Sequence, residues 1–115
     1  MRVAVSATGS DLNTTVDRRF GRCPWFLFVD AESLQYDAIE NKNADDASGA
    51  GTACAQLVLE KDVNAVITGQ IGPNAFEVLK QGGVKIFLAP DGMVVREALT
   101  RHQNGELRQM EMKVF

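Results

Sequence analysis

The sequence is poor in the side chains that hold metals and run hydrolytic chemistry. It has two cysteines, Cys23 and Cys54, and one histidine, His102. No C-x-x-C pair occurs, and two thiols with one distant imidazole do not make a closed tetrahedral site. Cysteines this sparse and this far apart read as free thiols rather than a bridge. No Ser/His/Asp or Cys/His arrangement is visible. The opening apolar run, Arg2 to Ala7, lacks the carboxylate that a two-metal nuclease would need there. These absences argue against an enzyme.

Charge of one sign is also missing. Twelve Lys and Arg stand against fifteen Asp and Glu, a formal net charge of −3. That balance gives no global pull toward nucleic acid or an anionic membrane. No apolar run approaches the roughly 18 residues a membrane span needs. Val3 to Val5, behind Met1 and Arg2, is too brief for a signal-peptide core. The expected location is therefore the cytosol.

What is present suits one globular domain: 115 residues, 45% apolar and 23% charged. A domain of this size buries roughly two-thirds of its unfolded surface and needs no disulfide or structural metal. Periodicity predicts strands at Arg2–Ala7, Trp25–Val29, Leu34–Ile39, Ala65–Thr68 and Lys85–Leu88. Helices are expected over Gly51–Lys61, Asn74–Gln81 and Val94–Gln103, the second opened by Pro73 and closed by Gly82-Gly83. Asn41 to Gly49 reads as a polar loop. Glu106 to Phe115 reads either as a ragged extra strand or as a docked tail. The order β-β-β-α-β-α-β-α implies an α/β fold, with an antiparallel hairpin at one edge and parallel strands joined by right-handed crossovers. The expected architecture is a mixed five-stranded sheet with flanking helices, a ribonuclease H-like three-layer arrangement.

In open α/β sheets, ligands bind beyond the carboxyl ends of the parallel strands. Those ends carry Thr8–Arg22, Gly49–Cys54, Gly69–Asn74 and Ala89–Gly92. Two of them run into helix N-termini, where free N–H groups and the helix dipole favour an anion. Gly49, Gly51, Gly69, Gly72, Pro73 and Asn74 are therefore candidate binding residues, although such glycines can also serve only to make turns. The sharpest feature is Asp17-Arg-Arg-Phe-Gly-Arg-Cys23. Arg18, Arg19 and Arg22 offer forked donors suited to a multi-oxygen or multi-sulfur anion. The bland alternative is a solvated loop in which Asp17 pairs with an arginine. Asn13 and Phe20 join the candidates, with Trp25 and Ile71 as further apolar contacts. The Thr8–Arg22 loop is expected to be a mobile lid, too long to be packed by Leu12, Val16 and Phe20. Cys54 reads as a small core residue. Cys23, beside Arg22, is a candidate thiol of lowered pKa. Gly49-Ala-Gly51 begins like a dinucleotide fingerprint, but the third glycine position is Cys54 and no parallel strand immediately precedes it, so a nicotinamide cofactor is rejected.

Several of these segments together resemble the dinitrogenase iron–molybdenum cofactor biosynthesis family, its NifX-like and NifB C-terminal-like domains. They are Arg2-Val-Ala-Val-Ser6, Val16-Asp-Arg-Arg-Phe-Gly-Arg-Cys23, Gly49-Ala-Gly51 leading into Ala55-Gln56-Leu57, and Val63-Asn-Ala-Val-Ile-Thr-Gly-Gln-Ile-Gly-Pro-Asn-Ala75, followed by Leu79 and Gly83-Val84. The resemblance spans residues 2 to 105. It implies the same ribonuclease H-like fold and a carrier of anionic metal–sulfur clusters, such as precursors of the iron–molybdenum cofactor. Free-standing members are implied to hold a molybdenum–copper sulfide cluster without covalent links. The expected ligand is thus a molybdenum-containing iron or copper sulfide cluster, exchanged with donor or acceptor proteins. A regulatory protein–protein module whose arginine loop grips an acidic partner is the alternative. An enzyme acting on a phosphorylated small molecule is a weaker third reading.

Overall fold

Strand β1 (Arg2–Ala7) is buried from Val3 to Ala7 without a break. A strand of small apolar residues on both faces needs cover on both faces, and this requirement organises the molecule. The computed structural model describes residues 1–42 and 49–111. After β1 come β2 (Trp25–Asp30), β3 (Tyr36–Glu40), α1 (Ala50–Glu60), β4 (Ala65–Thr68), α2 (Pro73–Gln81), β5 (Lys85–Leu88), α3 (Val95–Gln103) and β6 (Arg108–Gln109). Of the expected loop Asn41–Gly49 and tail Glu106–Phe115, residues 43–48 and 112–115 lie outside the described residues.

The strands form one mixed sheet in the order β3-β2-β1-β4-β5-β6. β1, β4 and β5 run parallel, while β2 is antiparallel to both β1 and β3. The sheet has six strands rather than the expected five. The sixth consists of two exposed residues, paired Phe87↔Gln109 and Leu88↔Arg108. Its own two side chains are polar and exposed, so backbone hydrogen bonding defines it, with Leu107 and Met110 on either side packed against the two interiors. The third strand also begins later than expected. Leu34 adopts φ 62 and belongs to the turn, which the Asp30 carboxylate closes by accepting the Glu32 and Ser33 N–H groups at 2.9 and 3.0 Å. Those two donors also hold the Asp30 carboxyl below its ordinary pKa.

The period-two alternation of β2 divides the interior in two. Phe26 and Phe28 join Cys54, Ala55, Val58, Ala75, Phe76 and Leu79 under α1 and α2. Leu27 and Val29 join Leu12, Val16, Val95, Ala98 and Leu99 under α3. The result is the expected helix–sheet–helix sandwich. No helix among the described residues is long and apolar enough to cross a membrane.

The Thr8–Arg22 segment is not the free lid expected from its polarity. Leu12, Val16 and Phe20 are 4%, 3% and 2% exposed. They divide between the two interiors: Leu12 and Val16 go to the α3 face and Phe20 to the α1–α2 face. The backbone is tied down as well. The Thr8, Val16, Asp17 and Phe20 N–H groups donate to the carbonyls of Thr15, Met93, Ser6 and Gln70 at 2.8–3.0 Å.

Candidate functional site

The carboxyl ends of β1 and β4 lie side by side, and a buried hydroxyl pair joins the loops that leave them. Ser6 Oγ and Thr68 Oγ1 are 2.7 Å apart. Ser6 Oγ also lies 2.9 Å from the Asp17 carbonyl, and Thr68 Oγ1 lies 3.4 Å from that of Gln70. With one proton per hydroxyl, donation in either direction satisfies one loop carbonyl. Asp17, 8% exposed, shapes the arginine loop from within. Its Oδ1 accepts the Arg19 N–H at 2.8 Å and lies 3.6 Å from Arg19 Nε. Asp17 thus does pair with an arginine, and the pairing fixes that arginine rather than leaving a loose solvated loop.

Two close approaches hold this loop against its neighbours. A Cβ on Gly69 would lie 2.4 Å from the Arg18 Cα, and one on Gly21 would lie 2.8 Å from the Cα and N of Gly51. Only glycine allows these backbones to come so near. The second crossing places the arginine loop on the first turn of α1. A pocket of about 210 Å³ results, lined by Phe20, Gly21, Gly49, Gly51, Thr52, Gly72, Pro73, Asn74 and Ala75. The N-termini of α1 and α2 both open into it. Among the described residues, neither helix has a side-chain cap. The Gly49 and Gly72 carbonyls accept the Ala53 and Phe76 N–H groups at 2.9 and 3.0 Å, and among the described residues no other backbone carbonyl outside the helices accepts a first-turn N–H group. An adjoining hollow shares Phe20, Gly21 and Gly72 and adds Arg19, Gln70 and Ile71.

Of the residues singled out from sequence, Phe20, Gly49, Gly51, Gly72, Pro73 and Asn74 therefore meet at one pocket, with Arg19 beside it. Phe20 contributes only an edge, because its ring is buried against Phe26 at 5.3 Å between centroids. Arg18 and Gly69 line a separate hollow with Gln70, Ala89 and Asp91. There Arg18 is 3.9 Å from Asp91, both side chains being largely exposed. Arg22 is exposed and lines neither space. Arg18 and Arg19 thus line different hollows. Trp25 packs toward the α3 face, away from Phe20. Asn13 is also elsewhere: its Oδ1 accepts from Arg96 Nε at 3.4 Å on α3.

Cys23 requires a correction too. The side chain is fully buried, and its Sγ–H donates to the Phe20 carbonyl at 3.3 Å. Burial pushes the thiol pKa well above its ordinary value, and Cys54 and Asp17 push it further. Proximity to Arg22 in sequence does not bring the guanidinium to the sulfur. Cys54 is the core residue expected, fully buried in the cluster under α1. Neither cysteine forms a disulfide.

Comparison with known proteins fits this geometry. The family model described as dinitrogenase iron-molybdenum cofactor matches residues 1–105. The chain belongs to this family. An uncharacterized protein of Methanocaldococcus jannaschii is 32% identical over 102 residues, 86% of each chain. The apo form of the orange protein from Desulfovibrio gigas superposes with a TM-score of 0.90 at 34% identity, over 95% of this chain and 92% of that one. A candidate NifB protein from Thermotoga superposes at 0.84 with 36% identity, over 99% and 97% of the two chains. The family and fold expected from the sequence motifs are therefore those the chain has.

Sequence reasoning missed Gly21 as half of the glycine crossing, Thr52 and Ala75 in the pocket wall, the Ser6–Thr68 pair and Asn41. Ser6 and Thr68 carried a signal: each is a hydroxyl in or ending an otherwise apolar strand. Asn41, whose amide donates to the Gly21 and Cys23 carbonyls, carried none, because those partners are distant in sequence.

Proposed function

We propose that this protein binds a compact anionic metal–sulfur cluster without covalent attachment and carries it chemically unchanged between donor and acceptor proteins in the cytosol. The cargo is a molybdenum-containing cluster of the iron–molybdenum or molybdenum–copper sulfide type. The observation that carries this reading is the pocket where two uncapped helix N-termini face one space. Polarised N–H groups and two helix dipoles favour a compact polyanion there. The glycine walls support the fit, since a side chain at Gly21 would strike the Gly51 backbone and one at Gly51 would reach the Ala75 side chain on the facing helix. Arg19 adds a guanidinium at the rim, where a soft, weakly hydrated anion suits it. Burial of both thiols supports non-covalent holding, because a sulfur enclosed in the core is poorly placed to ligate a cargo in the pocket, and burial keeps the Cys23 thiol in its protonated form. Membership of the family supports the choice of cargo.

The test is an anaerobic titration of the metal-free protein with tetrathiomolybdate, followed by its visible absorption. The reading predicts saturable binding at one site per chain, weakened by salt, with the anion recovered unaltered after denaturation. Absence of saturable binding, or recovery of a converted product, would overturn it.

A further inference from the structure

Asn41 lies just past the end of β3 and is 5% exposed. Its amide reaches both walls of the pocket from behind. Nδ2 donates to the Cys23 carbonyl at 2.8 Å and to the Gly21 carbonyl at 3.2 Å, on the arginine loop. Oδ1 accepts from Cys54 Sγ–H at 3.4 Å, on α1. The Asn41 backbone N–H donates to the Pro24 carbonyl at 2.9 Å, so the residue is itself anchored. The Gly21 carbonyl it holds belongs to the residue that crosses Gly51.

We infer that Asn41 is a positioning residue, which clamps the arginine loop to α1 and so fixes the width of the pocket between the two helix N-termini. This inference rests on the anion-carrier reading for its functional meaning, but the clamp can be measured without ligand. An amide is the side chain that suits the place. It donates twice to carbonyls and accepts from a thiol, which neither a carboxylate nor a lone hydroxyl can reproduce. Asn41, Cys23 and Cys54 do not line the pocket. The clamp's effect is transmitted through the loop whose Gly21 and Phe20 form one wall of the pocket.

Asn41→Asp keeps the shape and replaces the donor with an oxygen facing two carbonyls. The expected result is tetrathiomolybdate binding weakened by about tenfold, the scale of one well-placed hydrogen bond. The circular dichroism induced in the bound anion's sulfur-to-molybdenum bands should change as well, because it reports the anion's placement. Gln103→Ala serves as the control. It removes a comparable amide-to-carbonyl bond, from Gln103 Nε2 to the Ala31 carbonyl, at the other helix layer. It should lower stability and leave affinity and induced dichroism alone. If Asn41→Asp does not fold, Asn41→Ser retains a single donor and takes its place. Unchanged affinity and dichroism in a folded Asn41 variant would overturn the inference. If the wild type itself binds no thiometallate, the carrier reading fails separately. The clamp is then decided by amide exchange at Gly21 and Arg22: faster exchange in the variant upholds it, and unchanged exchange overturns it.

Discussion

The two faces of the sheet treat their helix N-termini in opposite ways. On one face, α3 begins under the Thr8–Arg22 segment. The Val95 and Arg96 N–H groups donate to the carbonyls of Thr14 and Leu12 at 2.8 and 2.9 Å. That N-terminus is sealed by the protein's own backbone. On the other face, α1 and α2 begin beside glycines, and their first turns look into a shared pocket. One long loop makes both arrangements: residues 12–14 close the first site, and residues 20–21 wall the second without filling it. The contrast separates stability from binding. On the proposed reading, a helix start that only needs satisfying is given carbonyls, whereas one that receives the anion is left open.

Substitutions on the two faces should therefore fail differently. Leu12→Ala removes a side chain 4% exposed from the sealed face, and it should cost about 2–5 kcal/mol of stability. Thiometallate affinity, measured on the folded fraction, should stay within about twofold. A large affinity loss would mean that the faces are not independent. Gly21→Ala acts on the open face, where the new Cβ would meet the Gly51 backbone at 2.8 Å. A cost of about 1–3 kcal/mol is expected from overpacking, together with a disproportionate loss of binding. Gly72→Ala, with nothing within 4 Å of the added Cβ, should change stability by less than about 0.5 kcal/mol.

The smallest effect concerns pH. Burial raises the Cys23 pKa above the ordinary value of 9.0. The native thiol keeps its proton where the unfolded chain has lost it. Its contribution to stability is thus complete below pH 9.0 and declines as pH rises above that value. Denaturant melts of the wild type and Cys23→Ala should diverge less at pH 10 than at pH 7. Equal divergence at both would place Cys23 in a wetter environment than the core it shares with Phe20 and Phe26.

The fold was legible because its elements are locally consistent. The run Val3–Ala7, the Pro73 helix start and the glycine stops after α2 and α3 each signal the state observed. The site was legible only in part. Glycines and proline at strand ends mark backbone geometry, so Gly49, Gly51, Gly72 and Pro73 could be found from one chain. Side-chain destinations could not. Arg18 and Arg19 are adjacent in sequence yet line different hollows, because successive loop residues share no face. Cys23 looked activated because Arg22 precedes it, but burial decides a thiol's pKa and sequence adjacency does not. The loop looked mobile because its three apolar residues seemed too few. They suffice because they divide between two cores that were built by other segments.

The contrast between sealed and open helix starts can be tested directly by backbone amide NMR during an anaerobic tetrathiomolybdate titration. The account predicts saturable shifts at Gly51, Thr52, Asn74 and Ala75, the amides beside the pocket. Val95 and Arg96, already bonded to Thr14 and Leu12, should stay unmoved. Shifts confined to Val95, Arg96 and Asn13, with the α1 and α2 amides silent, would contradict it.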